Sequence, residues 1–411
     1  MSWEEDGYTL DLAGNVRTLP AVLQPTSGPE GPEGASISQL RLTLKATAKD
    51  WLSVEAHAVQ VIGFATRPQP FSELHTLGPQ RYRALKLSGA WSSTDRFVAI
   101  AGIDRLSVTA SAPWFDVTVG RQPINFSKAY FWSPLDVFLP FSPRVIDREY
   151  KPGVDAVRVD VPLGEVSGLN AVAAAGPELR IDPATGEVAP QEDAFAASAD
   201  TSAFLVRAFT NVASWDVSVQ AGSVYGGYQL GAGVAGELLE AVAVRAEATY
   251  KHSRRTNPVP LPSEDGRFVT IDMVRHQPSF VIGLERRFES SLYLSAEYFY
   301  NGTAGKALER GAVRSVLGET TNLSSHLVGA VASYELLPTL VVRLSGILAL
   351  PRPSSLITPG LTWSPAQNVD IDAGALVAIG ARPRARGAAP VLESEFGSYP
   401  HVYYMQMKAY F

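Results

Sequence analysis

The chain has 411 residues with 35 basic and 41 acidic side chains, a formal charge of −6, 46% hydrophobic and 18% charged residues, and no cysteine. The missing cysteine excludes a disulfide framework and thiol chemistry, and the acidic balance without a basic stripe argues against nucleic acid as a partner. No run reaches the roughly 18 consecutive apolar residues that a membrane-spanning helix requires.

The apolar residues instead recur with period two, the signature of strands with one apolar and one wetter face. In chain order this predicts eighteen strands, at 8–19, 36–48, 52–65, 98–111, 114–123, 153–162, 165–175, 202–212, 214–223, 226–237, 240–252, 278–287, 290–302, 324–335, 339–350, 354–364, 368–380 and 399–411. Sixteen is the alternative if two segments are loop hairpins. Helical period is confined to short pieces near 127–140 and 235–241, the second of which also reads as a strand end and turn. The acidic start "MSWEEDGYTL" has no apolar core segment, so a signal peptide is expected to have been removed.

Connections alternate in length as strictly as the strands do. Tight links at 47–51, 111–114, 161–166, 211–215, 288–291, 335–339 and 364–368 interleave with long loops at 24–35, 66–97, 124–152, 177–200, 253–277, 303–323 and 381–398, while 224–227 and 351–353 are short members of the loop set. Short turns at one end and long loops at the other are the pattern of a transmembrane, antiparallel, up-and-down β-barrel of the bacterial outer membrane, all-β and built as one domain over 1–411. Aromatics gather at both strand ends: Phe115, Trp215, Phe288, Tyr334, Trp363 and Phe411 beside the turns, Phe64, Tyr250 and Tyr300 beside the loops. Two such belts mark two membrane–water boundaries. A soluble sandwich would share the period but would turn its polar face outward.

The polar parity supplies candidate pore-lining residues: Arg17, Arg41, Lys45, Glu55, Arg105, Asp116, Arg158, Asp160, Arg245, Glu247, Arg343, Asp370 and Asp372. Ten basic and eleven acidic residues on this parity make a balanced, hydrated interior. They read either as a field that sorts solutes by charge or as cross-strand ion pairs that stiffen the wall.

Residues 120–143, "GRQPINFSKAYFWSPLDVFLPFSP", break the loop rule. Phe126, Tyr130, Phe131, Trp132, Phe138 and Phe141 crowd into a connection that should be polar, with Asp136 among them. Such a loop must bury its rings, either by folding into the barrel as a constriction or by packing on the rim as a lid. Gly120, Arg121, Gln122, Trp132, Pro134, Asp136 and Phe138, with "EYKPGVDAVRVDVPLG" at 149–164, resemble the G-R-Q…F/W-x-P-x-D-x-F pattern of porin-like outer-membrane proteins of Gram-negative bacteria, alongside alginate-export-like and substrate-selective porin groups. Members of those groups usually carry W-G after the G-R-Q stretch, where this chain has Phe126–Ser127.

The final strand, "VYYMQMKAYF", alternates to its last residue. Its Tyr403, Met405, Met407, Ala409 and Phe411 resemble the C-terminal signature of outer-membrane proteins. The resemblance implies that the barrel assembly machinery reads this segment.

For catalysis the sequence offers little. His252 and His276 flank one loop with Ser253, Asp265 and Asp272 nearby, so a rim triad is conceivable, but no G-x-S-x-G, H-E-x-x-H or phosphate loop occurs. His57 beside Glu55 reads as a satisfied interior group, His75 lies in a loop, and the acidic loop stretches at 30–34 and 190–195 read as solvated surface. The expected protein is therefore not an enzyme. It is a porin-like channel for passive diffusion of small polar or charged solutes, restricted by the 124–150 loop. Its partners are outer-membrane lipid, the assembly machinery and the solutes, with no cofactor and no metal. The alternatives are a dedicated exporter or importer of a polymer or hydrophobic compound, and a rim enzyme.

Overall fold

Backbone hydrogen-bond ladders follow the alternation from the first strand to the last. A computed structural model describes the chain except at residues 1, 27–30, 68–80, 143–144, 178, 182–187, 191–196, 239–240, 255–258, 263–267, 272–274, 305–307, 309–314, 316–319 and 387–388. Eighteen strands form the wall: β1 (Tyr8–Gln24), β2 (Glu33–Ala48), β3 (Leu52–Ala65), β4 (Phe97–Ala112), β5 (Phe115–Gln122), β6 (Val154–Pro162), β7 (Gly168–Ala174), β8 (Ala203–Val212), β9 (Trp215–Val224), β10 (Gly227–Leu238), β11 (Val242–Ser253), β12 (His276–Arg287), β13 (Tyr293–Asn301), β14 (His326–Leu337), β15 (Leu340–Leu350), β16 (Ser354–Ala366), β17 (Val369–Gly380) and β18 (His401–Tyr410). Each pairs antiparallel with the next, and β18 pairs back onto β1 through Arg17↔Lys408 and Ala21↔Tyr404. Closure removes every sheet edge, as a hydrocarbon environment demands.

All eighteen predicted segments are wall strands, and the sixteen-strand alternative is excluded. The stretch 235–238 ends β10, and 127–140 forms irregular turns, so neither is helical. Two short strands extend the same sheet. Ser2–Glu5 folds back on β1 (Ser2↔Asp11), and Ser88–Ser93 lies on the upper half of β4 (Ser88↔Gly102), beyond the end of the eight-residue β5. Some turns are as tight as a hairpin allows. Ala213 and Ser214 both take positive φ (+48° and +67°), the twist-matched geometry for a two-residue link.

Which face is apolar settles the environment. Leu40 and Leu42 are 37% and 48% exposed on the outside of β2, while Arg41 between them is 4% exposed inside. On β18, Met405 and Met407 face out and Gln406 is buried. A water-soluble sheet would reverse this, because exposed apolar surface on such a scale demands a nonpolar partner. The strands therefore cross a bilayer with their greasy side in lipid. Among the described residues no helix is long and apolar enough to do so.

Inside, side chains fill the half of the barrel nearest the long loops. One cluster joins Tyr82, Ile124, Phe126, Phe138, Leu205 and Tyr225 beside β6–β9. A second joins Phe131, Trp132, Phe299, Leu327, Ile347 and Phe396 beside β12–β17. Both contain rings from the loop that follows β5.

Candidate functional site

The described residues of that loop, 123–142 and 145–153, lie within the barrel, and its two ends are clamped by the residues of the G-R-Q stretch. Gly120 takes φ +118°, and a Cβ there would sit 2.2 Å from the Leu106 carbonyl oxygen, so only glycine fits. Arg121 then grips Asp155 at the start of β6 with two parallel bonds, Nε to Oδ1 at 2.7 Å and Nη2 to Oδ2 at 2.9 Å. This is the strong bidentate geometry of a guanidinium on a carboxylate. Gln122 Nε2 donates to the carbonyls of Thr118 and Ala156. Within the loop, Asp136 and Lys151 form a buried ion pair, and Asp136 Oδ1 also accepts the Phe138 N–H at 3.0 Å. Burial pushes the Asp136 carboxyl up and the Lys151 ammonium down, each opposed by the charge of the other. The motif aspartate thus closes the loop on itself, which spacing alone did not reveal.

The first limb, 124–142, is held by wall carboxylates that accept backbone N–H groups. Glu247 on β11 takes the N–H of Lys128 at 2.6 Å, that of Ala129 at 3.3 Å, and the Ser127 hydroxyl at 2.9 Å. Glu297 on β13 takes the N–H of Tyr130 at 2.6 Å and of Phe131 at 2.8 Å. Gln220 and Gln229 donate to the carbonyls of Leu135 and Pro134. Trp132 stacks on Phe299 at 5.5 Å and donates its indole N–H to Asn322, which in turn donates to the fully buried Glu395. Wall glycines make room. A Cβ on Gly231 would stand 2.6 Å from Leu135, and one on Gly329 would stand 2.7 Å from Phe131. Lys128 pairs with the half-exposed Asp216 at the edge of this limb.

The second limb, 145–153, crosses to β18 and β1–β4 and is held by charge. Asp147 meets Arg17, accepts from Gln406 at 3.2 Å and lies 3.8 Å from Lys408. Burial works to raise the Asp147 pKa, but Arg17, the Glu149 N–H, Lys408 and Gln406 outweigh it and hold the carboxyl below its ordinary value. Glu149 accepts from the Tyr410 hydroxyl at 3.0 Å. The Tyr150 ring lies under the guanidinium groups of Arg17 at 5.1 Å and Arg41 at 4.3 Å, favourable cation–π positions.

The predicted interior residues are thus divided between three tasks. Arg17, Glu247 and, through Tyr150, Arg41 hold the loop. Glu55 with Arg105 (3.1 Å), Arg158 with Asp160 (2.8 Å), Arg245 with Glu285, and Lys408 with Asp372 (3.2 Å) are wall pairs. Ser364 donates to Asp370 and Thr362 to Asp372. Lys45 and Arg343 stay exposed on the inward face, and Asp116 stands opposite Asp160. Arg148 donates to the Tyr130 carbonyl; burial first, and then the like charge of Arg343, lower its pKa. A small cavity of about 60 Å³ separates the loop from the wall, lined by Phe126, Leu135, Arg207, Phe209, Asp216 and Glu247.

All seven predicted loop residues lie in this insert: Phe126, Phe131, Trp132, Asp136 and Phe138 are buried, and Tyr130 and Phe141 are half-buried. The anchors that sequence reasoning missed are Asp104, Asp147, Glu149, Tyr150, Gln220, Gln229, Asn322 and Glu395. Asp104 sits at a bulge in β4 and takes Arg41 at 2.8 Å and Arg83 at 3.0 Å, a site no period-two reading could reach. Tyr403, Met405, Met407, Ala409 and Phe411 lie on the outward parity of the last strand, and Phe411 exchanges backbone bonds with Gly14. His252 and His276 do come together, but His75, Asp265, Asp272 and the acidic stretch 191–195 lie outside the described residues. His57 is buried inside, 2.9 Å from Glu55.

No family model matches the sequence, and no curated protein matches it either. Solved structures do match along the whole chain. OccAB2 of Acinetobacter baumannii superimposes with a TM-score of 0.58 at 9% identity, covering 98% of both chains. OccK5 (OpdH) of Pseudomonas aeruginosa gives 0.56 at 7% identity, over 97% of this chain and 98% of its own. OpdK of Pseudomonas aeruginosa, solved with vanillate, gives 0.53 at 11% identity over 98% of each. At these identities the likeness is one of fold.

Proposed function

We propose that this chain is an outer-membrane channel through which small polar or charged solutes diffuse passively, narrowed by the loop 123–153. The observation that carries the reading is the loop itself. It enters the barrel and is tied to wall strands on both sides, by Glu247 and Glu297 on one and by Arg17 on the other. A lid packed on the rim would have no use for carboxylates on the inward face of β11 and β13. The remaining interior, next to Arg148 and Arg343, is the solute path, and charge there sorts what passes. The fold shared with OccAB2, OccK5 and vanillate-bound OpdK supports a channel for small molecules over a rim enzyme. The barrel assembly machinery and lipid are its structural partners, recognised through the Phe411-terminated strand and the apolar belt.

Planar-bilayer recording tests this directly. Purified protein is expected to show stepwise conductance, and deletion of 128–142 is expected to raise the step several-fold. An unchanged step would remove the constricting role. A dedicated conduit for a hydrophobic compound or polymer is the second reading, favoured by the rings that crowd the long-loop half of the interior; it predicts a parent with almost no ionic current.

A further inference from the structure

The three rim histidines on the outside of the barrel are not explained by a channel. His252 on β11 and His276 on β12 are direct register partners, and their rings stand 5.2 Å apart, inclined at 65°. The adjoining pair, Ser253 and Arg275, shares a backbone bond of 2.8 Å. The histidines therefore occupy the non-hydrogen-bonded position, where facing side chains approach most closely. Both lie on the outward parity with the exposed Tyr250 and Phe280, at the long-loop end.

We propose that His252 and His276 form a binding site for one divalent transition cation of the zinc, nickel or copper class, open to the exterior of the barrel. Two imidazoles on one tetrahedral cation, with metal–nitrogen bonds of about 2.0–2.1 Å, place their ring centres about 5 Å apart. The observed separation already matches. The second observation is the Tyr250 hydroxyl, which is hydrogen-bonded to Nδ1 of His276. A hydroxyl at one ring nitrogen orients the imidazole and leaves Nε2 for the metal, the arrangement that outer partners of metal-bound histidines provide. Arg254, two residues from His252, is engaged by Asp200 at 3.3 Å and by the Tyr228 ring at 4.7 Å. Among the described residues no group of three or more His, Cys, Asp or Glu gathers here or elsewhere. Water fills the other coordination positions, and the site takes borderline ions and ignores magnesium and calcium, which need oxygen ligands.

The test is calorimetric titration of untagged, detergent-solubilised protein with zinc or nickel chloride. The parent is expected to bind one equivalent, and His252→Ala and His276→Ala each to abolish saturable binding. Tyr250→Phe, which keeps both ligands, should weaken binding about tenfold. His326→Ala is the control. His326 lies two strands away with its own partner, the Tyr298 hydroxyl at 2.7 Å, and its loss should change nothing. Conductance of all four variants should equal the parent's, which shows that they fold and separates this site from the channel. No saturable binding by the parent, binding by the alanine variants equal to the parent's, or displacement by equimolar magnesium would each overturn the proposal.

Discussion

The two limbs of the interior loop are fixed by opposite physical means. The first limb hangs by its backbone: six N–H and hydroxyl donors converge on Glu247 and Glu297, the Phe131 ring settles over Gly329 and the Leu135 side chain over Gly231. The second limb hangs by side-chain charge, with Asp147 and Glu149 against Arg17, Lys408 and Tyr410. A backbone N–H carries no titratable charge of its own, and a buried donor left unpaired costs about 1–3 kcal/mol. Ion pairs between side chains respond to the protonation of either partner. The first limb is therefore the firmly seated part of the loop, and the second is the part that a change of side-chain charge can move.

The strongest challenge to that division is removal of both wall carboxylates. Glu247→Ala with Glu297→Ala strands the donors of residues 127–131, so the first limb should leave its seat. Single-channel conductance is expected to approach that of the 128–142 deletion. Either single variant should give a smaller rise, because the other carboxylate, Gln220 and Trp132 still hold. If the double variant conducts like the parent, the backbone anchors are not what fixes the loop.

The same division explains what could be read from the chain. Strand number, faces and connection lengths follow from a period that the wall strands keep outside their few bulges, so Leu40–Arg41–Leu42 and Met405–Gln406–Met407 announce themselves. The aromatic run 126–141 announced burial, because no exposed loop keeps six rings. What the rings bury against was hidden. Glu247 and Glu297 look like any inward acid, since their partners are N–H groups that every residue carries. Arg121 with Asp155 and Asp136 with Lys151 are pairs 34 and 15 residues apart, and no periodicity links them. A partial signal existed in β10, where "LGAGVAGE" puts Gly231 and Gly233 on the inward parity. A wall that gives up its side chains there is making room for something.

A smaller effect is expected from the second limb. Asp147→Asn removes the charge that faces Arg17 and Lys408 and should raise conductance modestly. The parent's own pH response follows from the same carboxyl. Its folded pKa is depressed, so the attraction is fully present above the ordinary aspartate value of about 3.9 and is lost only as pH falls through the lower folded value. Asp147's contribution to conductance should therefore be flat from neutrality down to about pH 4 and change below it. Asp147→Asn should lack that acid step. An acid step below about pH 4 that survives in Asp147→Asn would assign the second limb to some other group.

The least effect belongs to the exposed ion pair that joins the first limb to the wall. Lys128 and Asp216 are each about half exposed, at 48% and 50%, and exposed pairs contribute about 0–1 kcal/mol. Lys128 also reaches the wall through its backbone, donating its N–H to Glu247 and accepting Arg245 at its carbonyl, 2.9 Å away. Lys128→Ala keeps both of those bonds. Its conductance and its sensitivity to salt should match the parent's within error. A rise comparable with that of Asp147→Asn would mean that charge holds both limbs, and the contrast between a fixed limb and a movable one would fail at the residue where it is easiest to check.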